Sequence, residues 1–183
     1  MSINDLFKKY EKIFNAATPR ILHIGTAPNK NLERVVPALN GINCNLVIIG
    51  KINQNIVSLL EQNKVNYELF DRRLTENEVV EEYNKCDILT FVSTLEGFGM
   101  PIVEANTVGR VVITGNVTSM PEIAGDAACL VDPFDVEAIS KGFKKIIADK
   151  GYRERLIENG FKNAQRFSLK TLADEYASIY RSL

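Results

Sequence analysis

With 183 residues and 45% hydrophobic side chains, the chain is long enough to bury one sizeable core and short for two. Its 22 basic and 23 acidic side chains leave a net charge of −1, which excludes the broad basic field that draws proteins to nucleic acid or anionic membranes. Cys44, Cys86 and Cys129 lie far apart without paired metal-ligand spacing, so they read as core residues of a reduced chain. No apolar stretch approaches membrane-spanning length and no targeting signal is visible, so a soluble, cytoplasmic protein is expected.

Taken in order, Ile3, Leu6, Phe7, Tyr10, Ile13 and Phe14 recur at helical spacing, which predicts a helix over residues 1–17 ended by Pro19. The domain body, residues 20–183, then opens on the apolar run Ile21-Leu22-His23-Ile24 as a strand. Helices are predicted at Leu32 to Leu39, Ile56 to Gln62, Glu76 to Cys86 and Pro101 to Thr107. They alternate with strands at Asn45 to Ile49, Tyr67 to Phe70, Ile88 to Val92, Val111 to Ile113 and Ala128 to Val131. The last third is helical: Val136, Ile139, Phe143 and Ile146 form one stripe, Gly151 to Phe167 another helix, and Leu169, Leu172, Ala173, Tyr176, Tyr180 and Leu183 a final stripe. Short apolar strands separated by helix-length crossovers imply a Rossmann-like parallel α/β sheet of about six strands, buried on both faces. No repeat or linker-like tract divides the chain, so one domain is expected.

In such a sheet the segments after the strands gather on one rim, where ligands bind. Those segments are Gly25 to Lys30, Gly50-Lys51, Asp71-Arg72-Arg73, Ser93 to Gly99 and Gly115 to Ser119. The richest is Ser93 to Glu104, in which Gly97 and Gly99 flank Phe98, and Met100-Pro101 open a helix. The positive end of that helix and backbone freed by the glycines suit a diphosphate, with no metal expected. Glu96 and Glu104 frame the site, and each can accept hydrogen bonds from the vicinal hydroxyls of a sugar or ribose. His23, the one histidine, falls inside the first strand and reads as a core residue.

The segment Glu96-Gly-Phe-Gly-Met-Pro-Ile-Val-Glu104 resembles the E-x7-E motif of family 4 retaining glycosyltransferases, which have the two-domain GT-B fold. The likeness extends to Ile21-Leu-His-Ile-Gly25, Asn29-Lys30-Asn31, Met120-Pro-Glu-Ile, Gly125-Asp126 and Leu130-Val-Asp-Pro133, covering Arg20 to the end. It implies a donor-binding C-terminal domain in which Glu104 holds ribose hydroxyls and Glu96 the hydroxyls of the donor sugar. The backbone of Gly97 to Pro101 would hold the diphosphate and sugar, with Gly25 and Thr26 at the donor loop and Lys30 neutralising the leaving diphosphate. The family commonly carries arginine at the place of Thr26, a departure that Arg72 or Arg73 could offset, and proline at the place of Val111.

The resemblance therefore implies transfer of a hexosyl group from a UDP- or GDP-sugar to a glycan or lipid-linked acceptor, as in polysaccharide biosynthesis. The N-terminal acceptor-binding domain of that family is not in these 183 residues, so the chain is expected to be incomplete as an enzyme. A cytoplasmic location would extend, for the full-length enzyme, to the membrane surface. A non-catalytic nucleotide-sugar-binding subunit that needs a partner chain, and another GT-B-like enzyme such as an epimerase or phosphorylase, stay open at this level.

Overall fold

Alternate residues of the central strands divide between two cores, as the period of a strand requires. Ile21, Ile48, Ile88 and Ile113 are buried on one face of the sheet, and Leu22, Val47, Leu89 and Val112 on the other. The computed structural model describes residues 7–168 together with residues 170, 171, 173 and 180. In chain order these give β1 (Arg20–Ile24), α1 (Leu32–Ala38), β2 (Asn45–Ile49), α2 (Gln54–Gln62), β3 (Asn66–Phe70), α3 (Glu76–Lys85) and β4 (Ile88–Phe91). There follow α4 (Met100–Val108), β5 (Val111–Gly115), α5 (Met120–Ala124), β6 (Cys129–Val131), α6 (Val136–Ala148) and α7 (Lys150–Arg166).

All six strands are parallel, in the order β3-β2-β1-β4-β5-β6. The chain builds outward from β1 in one direction and from β4 in the other, so a crevice opens between the ends of these two strands. Helices α1, α2 and α6 cover one face through Val35, Leu60 and Phe143, and α3, α4 and α5 cover the other through Tyr83, Ile102 and Met120. Each fully buried aliphatic or aromatic side chain contributes about 1.5–3 kcal/mol, and this two-sided burial holds the rim residues in place.

The Rossmann-like sheet expected from the sequence is present. One strand departs from the expectation of burial on both faces: β3 forms the sheet edge and its first three residues are exposed. The cysteines are buried and free, and burial pushes the thiol of Cys44 up to about 11 and that of Cys86 up to about 12. Among the described residues no helix is long and apolar enough to cross a membrane.

The helix predicted over residues 1–17 is corrected where it can be seen: residues 7–17 are not helical, and residues 1–6 lie outside the described part. The apolar stripe has no common surface to cover. Phe7 packs edge-on against Tyr83, Phe14 lies under the Arg153 guanidinium, and Ile13 is 93% exposed. Polar contacts hold the segment instead. Asp87 accepts from Lys12, from the Asn15 amide at 3.1 Å and from the Arg20 amide at 2.8 Å, while Arg110 donates to the Tyr10 carbonyl at 3.2 Å. Of the predicted final stripe, Leu169, Leu172, Tyr176 and Leu183 lie outside the described residues, whereas Ala173 and Tyr180 are helical.

Candidate functional site

At the end of β1 the chain turns at Gly25, whose φ of 87° belongs to the left-handed region that favours glycine. A Cβ built there would lie 3.2 Å from both Cγ and Cε of Lys30, so the missing side chain is what lets Lys30 fold back over the turn. A short 3-10 turn at Pro28–Lys30 then delivers Asn31, also left-handed with φ 66°. The buried Asn31 amide donates to the carbonyls of Val92 at 3.0 Å and Pro133 at 2.7 Å, tying the β1 loop to the segments after β4 and β6. Asn29 adds a second tie: its side chain donates to the Leu95 carbonyl at 3.0 Å, and its carbonyl accepts from the Thr94 amide at 2.8 Å.

These ties bring Lys30 to Glu96 across the crevice between β1 and β4. Nζ of Lys30 donates to Oε1 of Glu96 at 2.6 Å, with the ammonium 4.7 Å from the centre of the Phe91 ring. Both side chains are largely buried, at 21% and 14% exposure, so the pair meets in a medium that strengthens charge-assisted hydrogen bonds.

The loop that follows is arranged to present backbone donors. Ser119, just before α5, donates to the carbonyls of Glu96 at 3.1 Å and Phe98 at 2.8 Å. In a planar trans peptide the C=O and the next N–H point in opposite directions, so holding these carbonyls toward Ser119 turns the N–H groups of Gly97 and Gly99 away from it. Among the described residues no acceptor takes the N–H groups of Gly97, Phe98, Gly99 or Met100. Gly99, with φ 117°, caps the start of α4, and Pro101 occupies its first turn, where no N–H is needed. Orphan amides and the positive end of the α4 dipole therefore gather at the start of α4, which suits an anion. Phe98 is 42% exposed and stacks edge-on against Phe167 at 5.6 Å; Met100 is also partly exposed.

Glu104 lies just over one turn into α4. Its Oε2 accepts from the Tyr83 hydroxyl at 2.6 Å, and burial raises its carboxyl above the usual range while that hydrogen bond opposes the rise. Tyr83 keeps its proton, because burial and the adjacent carboxylate both push the phenol upward. His23 is buried on β1; burial, aided by the charge of Lys30 and opposed in part by the Gly25 backbone, pushes it down to about 4 and leaves it neutral.

The structure thus brings together Gly25, Lys30, Glu96, Gly97, Phe98, Gly99, Met100 and Pro101, with Glu104 on the helix they open. It does not bring Arg72 to them. Arg72 follows the edge strand β3, with β2 between that strand and β1, and its guanidinium is held by Glu78, Nη1 to Oε2 being 3.1 Å. Thr26 lies against Gly50 after β2, where a Cβ on that glycine would come within 2.8 Å of the Thr26 Cγ2. Ser119 and Tyr83 were not singled out from the sequence. Ser119 closes a rim segment that was recognised as such, whereas Tyr83 carried only its place in a helix.

A family model described as glycosyl transferases group 1 matches residues 7–163. The chain belongs to the glycosyl transferases group 1 family. Its relatives include the O-antigen chain mannosyltransferase B of Escherichia coli, 41% identical over 101 residues, which are 55% of this chain and 26% of that protein. A capsular polysaccharide biosynthesis glycosyltransferase, CapM of Staphylococcus aureus, is 27% identical over 98% of this chain and 50% of its own length. Among solved structures, Anabaena HepE in complex with UDP and glucose superposes with a TM-score of 0.79 at 18% identity, over 91% of this chain and 49% of that one. The group 1 domain shares the fold of GT-B glycosyltransferases, and the chain spans about half or less of the length of these proteins.

Gly25 gives a direct check on the Lys30 geometry. Gly25→Ala both strains a left-handed backbone and pushes against the Lys30 side chain, so nucleoside diphosphate affinity is expected to fall about tenfold or more, with a stability loss of about 1–2 kcal/mol. Calorimetric titration together with a denaturant melt measures both.

Proposed function

We propose that this group 1 domain is the donor-binding half of a retaining, family 4 glycosyltransferase that moves a hexosyl group from a UDP- or GDP-sugar to a glycan or lipid-linked acceptor. An acceptor-binding domain completes the enzyme. The observation that carries the reading is the Lys30–Glu96 pair at 2.6 Å, set at the β1/β4 crevice beside the orphan amides of Gly97 to Met100. The two relatives, a mannosyltransferase and a capsular polysaccharide biosynthesis glycosyltransferase, agree in reaction class.

In this reading the diphosphate lies at the start of α4 and the Lys30 ammonium moves from Glu96 to the phosphate oxygens. Glu96 then accepts from hydroxyls of the sugar. As the bond from the anomeric carbon to the diphosphate oxygen breaks, negative charge grows on the diphosphate while the sugar becomes oxocarbenium-like. Once donor binding has drawn Lys30 onto the phosphate, it and the fixed amides stand where that charge develops, and the bond-breaking step itself asks no further reorganisation of them. Glu104 takes the ribose hydroxyls, and we assign charge neutralisation to Lys30 and the helix terminus without a metal.

The test separates the two carboxylates. Glu96→Ala is expected to leave the affinity for the bare nucleoside diphosphate unchanged or slightly higher, since Lys30 no longer has to leave a carboxylate. The same variant weakens the full sugar donor by about 1–2 kcal/mol. Equal loss for both ligands would remove Glu96 from the sugar.

A further inference from the structure

We infer that Tyr83 is the positioning residue for Glu104: its hydroxyl holds one carboxylate oxygen at 2.6 Å and so presents the other to the ribose hydroxyl pair. The inference rests on the assignment of Glu104 to the ribose.

Two contacts fix Tyr83 itself, and a third holds the residue after it. Its ring is fully buried and meets Phe7 edge-on at 5.3 Å. Its carbonyl accepts from Arg110 Nε at 2.9 Å, and Arg110 Nη2 donates to the next carbonyl, that of Asn84, at 3.0 Å. The end of α3 is thereby pinned, and the phenol reaches Glu104 from a fixed base. A phenol has one proton to give, and here it goes to Oε2 alone, which leaves Oε1 of Glu104 without a partner among the described residues. A glutamate has three rotatable side-chain bonds; fixing one oxygen removes that freedom before any ligand arrives, so less is lost when a hydroxyl pair binds.

The same bond keeps the carboxylate charged. Burial favours the neutral acid at Glu104, and the Tyr83 hydrogen bond opposes it. Glu76, Glu78, Glu81, Glu82, Tyr83 and Lys85 on α3, Cys86 after it, Glu122 on α5, and Lys150, Tyr152, Arg153, Glu154, Arg155, Glu158, Lys162 and Arg166 on α7 are the titratable groups of the helices packed around α4, and of these Tyr83 is the one hydrogen-bonded to Glu104. Among the described residues no cation pairs with Glu104, so ribose binding that needs an ionised Glu104 depends on this donor. A buried phenol that merely found its acceptor in Glu104 would shift the titration of that carboxyl but leave the preference for ribose over dideoxy ligand at neutral pH unaffected, and this separates the two roles.

The experiment titrates the wild-type chain, Tyr83→Phe and Glu104→Gln with UDP and GDP and with their 2′,3′-dideoxy counterparts, between mildly acidic and mildly alkaline pH. Wild type is expected to prefer the ribose form and to lose that preference as pH falls through the raised Glu104 carboxyl; Glu104→Gln removes this acid limb. Tyr83→Phe is expected to weaken the ribose form about tenfold at neutral pH, leave the dideoxy form unchanged and move the acid limb to higher pH. Replacing Tyr83 by 3-fluorotyrosine, a stronger donor with the ring kept, moves the limb the opposite way and stands in if the phenylalanine variant does not fold. An unchanged ribose-to-dideoxy ratio at neutral pH in the Tyr83 variants, whether or not the limb moves, overturns the inference while Glu104 keeps its assignment. No ribose preference in the wild type, with diphosphate binding intact, removes Glu104 from the ribose and the inference with it.

Discussion

Lys30→Ala is expected to lower the affinity for the nucleoside diphosphate about a hundredfold, or about 2–3 kcal/mol, the largest loss of any single substitution in the domain. The ammonium is held at Glu96, where the Gly97–Met100 loop begins, by the Gly25 turn below and the Phe91 ring beside it. The variant also leaves the largely buried Glu96 carboxylate without its partner, so binding and folding stability fall together. Lys30→Ala paired with Glu96→Ala separates them: the double variant restores much of the stability and none of the diphosphate affinity. In an enzyme completed by its acceptor domain, the loss in kcat would exceed the loss in affinity, because the charge that Lys30 meets grows as the bond breaks.

Glu104→Ala is expected to cost about 1–3 kcal/mol of nucleoside diphosphate affinity through lost ribose contacts. Glu104→Gln should weaken binding in the same direction yet raise the melting midpoint at neutral pH. The sign follows from burial. The folded-state carboxyl lies above its unfolded value, so its contribution to stability is fully present below the ordinary carboxylate range and is lost as pH rises through the higher folded value. Above that folded value the domain bears the cost of the buried charge, and the amide removes it while still accepting from Tyr83. Thermal melts of wild type and Glu104→Gln should therefore coincide in acid and separate at neutral pH, with the variant higher; the reverse order would mean that the charge stabilises the fold.

Most of the sheet was legible in the sequence because short apolar runs such as Leu46 to Ile49 and Ile88 to Phe91 fit only central parallel strands. The edge strand is legible from Tyr67 to Phe70, and its edge position shows only in Glu68, a charge that a strand buried on both faces does not carry. The first seventeen residues misled because helical periodicity reports spacing and not a surface: Phe7, Ile13 and Phe14 have no common neighbour, and Asp87 and Arg110, far along the chain, supply the contacts that hold the segment extended. At the site, glycines and charges at strand ends pointed to Lys30, Glu96 and the Gly97–Met100 loop, because those residue types have few other reasons to gather there. Ser119 and Tyr83 act on neighbours through one hydroxyl each, and pairs such as Tyr83 with Glu104 come together only when α3 and α4 pack. The departure at Thr26 is likewise spatial: its side chain leans on Gly50, away from the Lys30–Glu96 pair.

The most direct measurement is calorimetric titration of this 183-residue chain with UDP, GDP and their hexose conjugates, with and without Mg²⁺. Saturable binding of one base series that is indifferent to Mg²⁺ and weakened about a hundredfold by Lys30→Ala is the result the donor-site account requires. A chain that unfolds cooperatively yet binds none of these ligands, or binds them equally well without Lys30, would contradict it.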